Sequence, residues 1–284
     1  MNAGFLKRGS MSFETSPASN YSLSDLLSIL NRGFEEYLVP IQFNMIAFTN
    51  LLRKDSIDLM TSKVLTVDGQ PCGIALLARR GWTTRLAAMG LAKQMRGKGA
   101  GTWFLNELIE EAGERGEREM VLEVIEQNEP AVNLYRKHGF ESMRRLIGCT
   151  RTNAEETGDA DLQEIDLREM GRLVSRYGLP DLPWQLSGES IAQMNPPARA
   201  YRFGPACIAV SNPDMGQVVI WSLLVEEHAR GKGLGTEMLK AVIAHHPGKR
   251  WQMPAILPEE LWKSFERAGF EKENVSQWQM KRTL

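Results

Sequence analysis

The sequence predicts an α/β protein of α+β mixed-sheet type, built as two tandem domains of one kind, each a twisted mixed sheet flanked by helices. Three observations predict it. The hexamer Arg96-Gly97-Lys98-Gly99-Ala100-Gly101 recurs as Arg230-Gly231-Lys232-Gly233-Leu234-Gly235, 134 residues further on. Gly139-Phe140 recurs as Gly269-Phe270, 130 residues further on. Strand-type and helix-type apolar patterns surround both copies in the same order. Glycine makes up about 7% of ordinary sequence, so five matches in one hexamer recur by chance in roughly one of a few thousand such chains. Internal duplication is the better explanation. The length of 284 residues suits two domains, at roughly 100–200 residues each.

The elements of the first copy follow from periodicity and punctuation. Ser12–Thr15 reads as a short strand. Ser22 or Ser24 caps a helix running to about Tyr37, with Leu23, Leu26, Leu27 and Leu30 on one face. A second helix covers Phe43–Arg53. Val64–Val67 and Gly73–Ala78 flank Asp68-Gly69, a hairpin signal. Leu86–Leu91 is a strand, the glycine loop follows, and a helix covers about Thr102–Gly113. Met120–Ile125 is a strand, Glu129–Lys137 a helix stopped by Gly139, and Ser142–Arg151 a last strand.

The second copy repeats the order. Leu167–Tyr177 and Ile191–Met194 read as helical, and Ala206–Val210 and Val218–Val225 as strands around Asn212-Pro213-Asp214. Gly235–Ala244 is the helix after the loop; Trp251–Ile256, the helix Pro258–Ala268 and the strand Val275–Lys281 complete the copy. The polar run 153–161 has linker composition and divides a domain over 11–152 from one over 162–284. Residues 1–10 read as a disordered extension, with Met11 an alternative start.

Composition excludes several classes. The chain is 43% hydrophobic and 24% charged, which is ordinary for a globular protein and foreign to a disordered one. A net charge of −1, from 34 basic and 35 acidic residues, gives no bulk attraction for nucleic acid or an anionic membrane. No apolar run nears the roughly 18 residues of a membrane span. No secretory h-region follows Lys7 and Arg8. Cys72, Cys149 and Cys207 are few, odd in number and far apart, which suits a reducing compartment. The expected location is the cytoplasm.

The repeated loop has a physical use. Glycines let successive N–H groups converge, the helix N-terminus adds partial positive charge, and Arg96 and Lys98 add full charges. The product is a diphosphate cradle, against the alternative of a turn that binds nothing. It is not a Walker A loop, since no Gly-Lys-[Ser/Thr] stands at the right spacing, nor a dinucleotide fingerprint, since the third glycine position is Thr102.

The run Gln94-Met95-Arg96-Gly97-Lys98-Gly99 resembles the acyl-CoA loop of the GNAT N-acetyltransferase superfamily, whose pattern is Gln/Arg-x-x-Gly-x-Gly/Ala. Leu122-Glu123-Val124, Asn128, Ala131, Leu134-Tyr135 and Gly139-Phe140 look like that family's next strand and helix. The spacing is close to that of ribosomal-protein N-terminal acetyltransferases. The resemblance is specific over about 85–145; the second half matches only at the loop and at Gly-Phe. Tandem members, mycothiol synthases among them, share this layout.

The resemblance implies a cofactor and roles. Acetyl-CoA would be held by Leu91, Ala92, Gln94, Arg96, Gly97, Lys98, Gly99, Ala100, Gly101, Thr102, Asn128 and Tyr135. Its pantetheine arm would enter between Leu86–Leu91 and Met120–Ile125, near backbone N–H groups of Gly90–Ala92. The family's seventh strand is not legible in the first half, whose sheet could be completed by the other half. Arg230, Gly231, Lys232, Gly233, Leu234 and Gly235 form the second loop.

Acetyl transfer to an amine needs a base for the amine, a donor for the tetrahedral intermediate and a proton for the departing thiolate. Tyr135 is the candidate acid, since a phenol of ordinary pKa near 10 carries its proton at neutral pH; the alternative is a packed helix tyrosine. Glu123 is the candidate base, with Glu126 the other choice, or a water relay. Asn128 ties down the pantetheine arm, caps the helix, or does both.

In the second copy, counting from Gly-Phe, Tyr135 falls on Phe265, Asn128 on Pro258 and Gln94 on His228. That half either binds acyl-CoA or, preferably, is a degenerate scaffold shaping the substrate cleft. Trp184, Trp221, Trp251, Trp262 and Trp278 read as core, Cys72 and Cys149 as inert, and His245-His246 as lacking the partners for a metal site. The loops Glu35–Asn44 and the stretch before Leu86, with Glu35, Glu36, Tyr37 and Trp82, carry no readable acceptor code.

The expected function is an acetyl-CoA-dependent N-acetyltransferase acting on a primary amine of a small molecule, peptide or protein, with chemistry in the first half. The alternative is a non-catalytic acyl-CoA-binding regulatory module. A third role, dimerisation through the second half, is compatible with the first. Monomer and homodimer are both open; no metal, nucleic acid or membrane partner is expected.

Overall fold

A computed structural model gives the structure, describing residues 12–39, 42–154, 158 and 161–284. The expectations for 1–10, for Met11 and for most of 153–161 lie outside the described residues. The first half contains β1 (Phe13–Pro17), α1 (Leu23–Gly33), α2 (Met45–Lys54), β2 (Lys63–Val67), β3 (Gln70–Arg80), β4 (Thr83–Leu91), α3 (Ala100–Glu114), β5 (Glu119–Ile125), α4 (Glu129–Lys137) and β6 (Glu141–Ala154). The second contains β7 (Gln163–Ile165), α5 (Leu167–Tyr177), α6 (Gly188–Ala192), β8 (Arg199–Phe203), β9 (Ala206–Val210), β10 (Gln217–Val225), α7 (Leu234–His245), β11 (Lys249–Pro258), α8 (Trp262–Arg267) and β12 (Glu271–Thr283). Strand and helix alternate in one identical order in both halves, as the duplication requires.

Some boundaries differ from the sequence expectation. Helix α1 ends at Gly33, four residues before Tyr37. Gly33 passes so close to Gly90 of β4 that a Cβ on it would lie 3.0 Å from the Gly90 Cα. The chain then turns away, with Glu36 at φ 55°. Strands β7 and β8 were not expected; β7 is only three residues long, and β8 carries Arg199 and Arg202 in a run of five. The expected helix Pro258–Ala268 is a strand end, a 3-10 turn over Glu259–Leu261, and then α8. The Asp68-Gly69 hairpin stands, with positive φ at both residues, the mark of a type I′ turn.

The chain divides into two compact units, one of residues 12–53, 57–120 and 283–284, the other of 54–56 and 121–282. This division cuts the first repeat after Met120 and does not fall in 153–161. In the first unit, β1, β2, β3 and β4 are antiparallel neighbours. Leu26, Ile29 and Leu30 of α1 and Phe48 of α2 pack with Val64, Ile74 and Leu76 of that sheet. This is the burial that an amphipathic α1, capped by Ser22, is built to make.

In the second unit the strand order is β5-β12-β6-β11-β10-β9-β8-β7. Strand β12, the last in the chain, therefore lies between β5 and β6 of the first repeat. Strand β6 in turn lies between β12 and β11, antiparallel to both. Each repeat lends its final strand to the other. Ile147 and Cys149 of β6 share one core with Val218, Leu239, Trp251, Phe265 and Phe270 of the second repeat.

Two arginines repeat this exchange in miniature. Arg282 of β12 donates to the His138 carbonyl at the end of α4, and Arg151 of β6 donates to the Ala268 carbonyl at the end of α8, the latter at 2.6 Å. Each guanidinium meets orphan carbonyls at the negative end of the other copy's helix. The same helices stop at Gly139 and Gly269, both at φ 79°.

Tryptophans 184 and 251 are buried, and 221 and 262 pack at the core edge, as expected of core residues. The Trp184 indole N–H also donates to the Asp55 carbonyl at 2.9 Å. All three cysteines are free and buried; burial pushes the Cys149 thiol up to about 12 and that of Cys207 to about 11, so they stay protonated at neutral pH. Among the described residues no cluster of three or more His, Cys, Asp or Glu is arranged for a metal ion. No helix of the described residues is long and apolar enough to cross a membrane.

His246, at the end of α7, stands 2.9 Å from the Tyr201 hydroxyl. Burial, then the neighbouring His245 and Arg199, lower its pKa from 6.5 to about 4. A depressed histidine pKa means that the unfolded chain binds the proton more readily. Its contribution to stability is complete above pH 6.5 and is lost as pH falls toward about 4. Thermal melts across that window should show Tm falling, and His246→Asn should flatten the slope; an equal slope would remove His246 as its cause.

The exchange makes a second prediction. Residues 12–154 and 161–284, expressed singly, should each lack a cooperative melt by circular dichroism, and co-expressed they should elute as a 1:1 complex. A fragment that folds alone as a monomer would show that the borrowed strand is dispensable.

Candidate active site

The two glycine loops have almost one backbone. Gly97 and Gly231 sit at φ 74° and 78°, and Gly99 and Gly233 at 83° and 84°. Side chains rarely adopt such values, which accounts for glycine at all four positions. A Cβ on any of the four would meet nothing within 4 Å, so each loop borders open space that a side chain would fill. The helices α3 and α7 start from Gly99 and Gly233 with no side-chain cap. In contrast, α1, α2, α4, α5 and α6 are capped by Ser22, Asn44, Asn128, Asp166 and Ser187. The first-turn N–H groups of α3 and α7, like those of the short α8, take no side-chain cap, and such groups at the positive end of a helix can hold an anion.

The arginine of each loop braces it. Arg96 donates to the carbonyls of Leu91, Gly33 and Glu35 at 3.0, 3.0 and 2.9 Å. Arg230 donates to Val225 at 3.1 Å and to Tyr177. In both copies one guanidinium ties the loop to the strand before it and to the end of the first helix. These side chains hold the loop's shape, which spacing alone did not show. The charge left for a ligand comes from Lys98 and Lys232, which among the described residues have no hydrogen-bond or ionic partner. Gln94, Lys98 and Thr102 are exposed, and Ala100 is buried. The Ala92 N–H donates to the Cys72 carbonyl at 2.8 Å, so it is spent within the sheet. His228, at the position of Gln94, is exposed, with Glu226 at 3.8 Å.

In the second unit, β10 and β11 pair in parallel only over Gln217–Val219 and Arg250–Gln252, then part. A cavity of about 270 Å³ follows, lined by Leu224 and Val225, the loop residues Arg230–Gly235 except Lys232, and Leu261 and Ser264 on the far side. Its size is just below the ~300 Å³ low end of ligand sites. Leu179 and Leu182 also line it. The chain between them is tied down by Arg144 and Gln279, which donate to the carbonyls of Pro180 and Asp181 at 3.1 and 3.0 Å.

The other predicted residues lie in the second unit. Glu123 is half-buried on β5, sharing its face with Val121 and Ile125 while Leu122 and Val124 are buried behind. Asn128 is the N-cap of α4, its Oδ1 accepting from Ala131 N at 3.3 Å. Glu126, the other candidate base, is occupied. Burial raises its pKa, but hydrogen bonds from Ser276 at 2.5 Å and Arg145 at 2.7 Å outweigh that and hold it below the usual carboxylate range. A carboxylate so committed is a poor proton acceptor.

Tyr135 is buried at 8% exposure, its ring edge-on to Phe140 at 5.7 Å. Phe265 repeats this edge-on contact with Phe270 at 5.3 Å. The two positions are equivalent in packing and differ by one hydroxyl. A core role alone needs only the ring, as Phe265 shows.

A model of the GNAT acetyltransferase family matches residues 23–140 and 204–256. The chain belongs to this family and has the fold of two GNAT-like domains. A GCN5-related N-acetyltransferase from Sphaerobacter thermophilus superposes with a TM-score of 0.68 over 95% of both chains at 14% identity. A tandem GNAT protein from the clavulanic acid biosynthesis pathway gives 0.64 over 96% of this chain and 98% of its own, at 16% identity. The streptothricin acetyltransferase of Streptomyces lavendulae is 34% identical over 85 residues, 29% of this chain and 45% of that protein. The chain thus matches less than half the length of that relative.

Brace and ligand contact should separate by mutation. Arg96→Ala removes three hydrogen bonds and should lower stability by about 2 kcal/mol, at ~0.5–1.5 kcal/mol each with partial replacement by water. Lys98→Ala should leave Tm within about a degree and weaken coenzyme A binding severalfold by calorimetry. Equal melting points for the two variants would contradict the assignment.

Proposed function

We propose that the chain transfers the acetyl group of acetyl-CoA to a primary amine, and that the first copy carries the chemistry. The observation that carries this reading is the Tyr135–Phe265 pair: two equivalent packed positions, of which only the first bears a proton donor. Acetyl-CoA supplies the acetyl thioester. The loop Arg96–Thr102, through its open N–H groups and Lys98, takes the diphosphate, with Leu91 and Gln94 beside it. Asn128 shapes the start of α4 by capping it.

The reaction balances without a further reactant. The amine nitrogen attacks the thioester carbonyl carbon, the C–N bond forms and the C–S bond breaks. Tyr135 gives its proton to the leaving sulfur. Glu123, directly or through water, takes the proton that the amine gives up. The products are the acetamide and free coenzyme A, and the proton held by Glu123 returns through water to the Tyr135 phenolate before the next turnover.

The second copy has the loop, the parting strands and the cavity, and lacks the acid. We assign it coenzyme A-class binding without turnover. The streptothricin acetyltransferase match favours small-molecule amines as the first acceptors to try.

With acetyl-CoA and an amine panel, thiol release should be robust in the native chain. Tyr135→Phe should lower kcat by at least ~10²-fold, the usual scale for loss of a general acid. An unchanged kcat would remove Tyr135 from the mechanism.

A further inference from the structure

We infer that Arg145 is a positioning residue for acetyl transfer: it holds the turn that launches α4, the helix of Tyr135, and ties that turn to Glu259 of the second copy. The inference rests on the assignment of Tyr135 as the acid. The turn Glu126-Gln127-Asn128 joins the end of β5 to α4 and is bonded residue by residue. Glu126 N donates to the Ser276 carbonyl, and Asn128 N to the Ile125 carbonyl, both at 2.9 Å. The Gln127 side chain donates to the Asn274 carbonyl at 3.1 Å. The Glu126 carboxylate accepts from Arg145 Nε at 2.7 Å and from the Ser276 hydroxyl at 2.5 Å.

Arg145 lies on β6 and spends three nitrogens on three elements. Nε goes to Glu126, Nη2 to Ser276 Oγ of β12 at 3.2 Å, and Nη1 to Glu259 Oε1 at 3.1 Å. Lys272 binds the same Glu259 oxygen at 2.9 Å. Glu259 opens the 3-10 turn that leads to α8, and Leu261 and Ser264 beyond it line the second copy's cavity. The planar fork therefore joins the α4 launch point to the wall of the other site.

The geometry speaks for orientation more than for stability. Arg145, Glu126 and Glu259 keep 37%, 30% and 36% of their side-chain surface exposed. Pairs this wet contribute little to folding. A rigid fork with three fixed directions is what an ammonium cannot reproduce. Tyr135 lies seven residues beyond Asn128, about 10 Å along the helix axis at ~1.5 Å per residue. A tilt of about 10° at the turn moves the tyrosine by nearly 2 Å on that lever. A misplacement of ~1 Å can cost ~10²-fold in rate.

The test compares Arg145→Gln, Arg145→Lys and Glu259→Gln with the native chain. Measured are kcat, KM for acetyl-CoA, Tm, and hydrogen–deuterium exchange of the segment 126–138. Arg145→Gln should lower kcat roughly tenfold or more, with KM for acetyl-CoA within about twofold and Tm within a few degrees. Exchange over 126–138 should rise. Arg145→Lys should recover part of kcat, and Glu259→Gln should give a smaller fall of the same kind. Native-like kcat in Arg145→Gln overturns the inference, as does a kcat loss that merely follows Tm. Exchange over 126–138 equal to native overturns it whatever the activity. A native chain inactive on every amine would defeat the Tyr135 assignment instead, and the exchange data would still decide whether Arg145 holds the turn.

Discussion

The insertion of β12 between β5 and β6 is the constraint on which the second unit depends. A strand needs a hydrogen-bonded neighbour on each side to be internal, and neither repeat supplies its own. β6 must find β11, and β12 must find β5 and β6, before any of them is satisfied. The shared core of Ile147 and Cys149 with Trp251 and Phe265 follows from that pairing, as do the reciprocal caps of Arg151 and Arg282. Contact between residues more than a hundred positions apart makes such pairing late and cooperative in folding. Within the second unit the final strands of both repeats are interlocked.

Within that frame the copies have diverged unevenly. The loops kept their backbone to within a few degrees of φ, and both kept the arginine brace. Loop shape is therefore maintained in both, with open helix N-termini facing solvent. The helix that follows the next strand was not maintained alike. α4 keeps an asparagine cap and a tyrosine; its counterpart begins as a 3-10 turn after Pro258 and carries Phe265. Glycine geometry is hard to replace and easy to keep, whereas a hydroxyl on a packed ring can be lost at small structural cost. This asymmetry is what the proposed function rests on, with chemistry in the first copy and binding alone in the second.

Much of this was legible in the sequence, for identifiable reasons. The loops were visible because left-handed positions admit little besides glycine, and Gly139 and Gly269 because helices end on that residue. The hairpin at Asp68-Gly69 was visible for the same reason. β7 and β8 were hidden by shortness and, in β8, by two arginines that break the apolar run, and the end of α1 by a Gly33–Gly90 approach that only tertiary packing reveals. The incomplete first sheet was apparent from its missing strand, but not which strand fills it. Among site residues, the types and spacing around Tyr135 were readable. The brace role of Arg96 was not, because its partners Gly33 and Glu35 lie some sixty residues away. Nor was the commitment of Glu126, whose partners come from β6 and β12. Local patterns encode local geometry; the partners of long polar side chains do not appear in them.

On the proposed function, two loops of one shape do unequal work. The most direct measurement blocks each loop separately and follows turnover. Gly99→Val and Gly233→Val each place a branched side chain at a left-handed position bordering open space. The account predicts that Gly99→Val abolishes acetyl transfer at ordinary acetyl-CoA concentrations, and that Gly233→Val removes one coenzyme A site by calorimetry yet still turns over. Turnover lost in Gly233→Val and kept in Gly99→Val would contradict it.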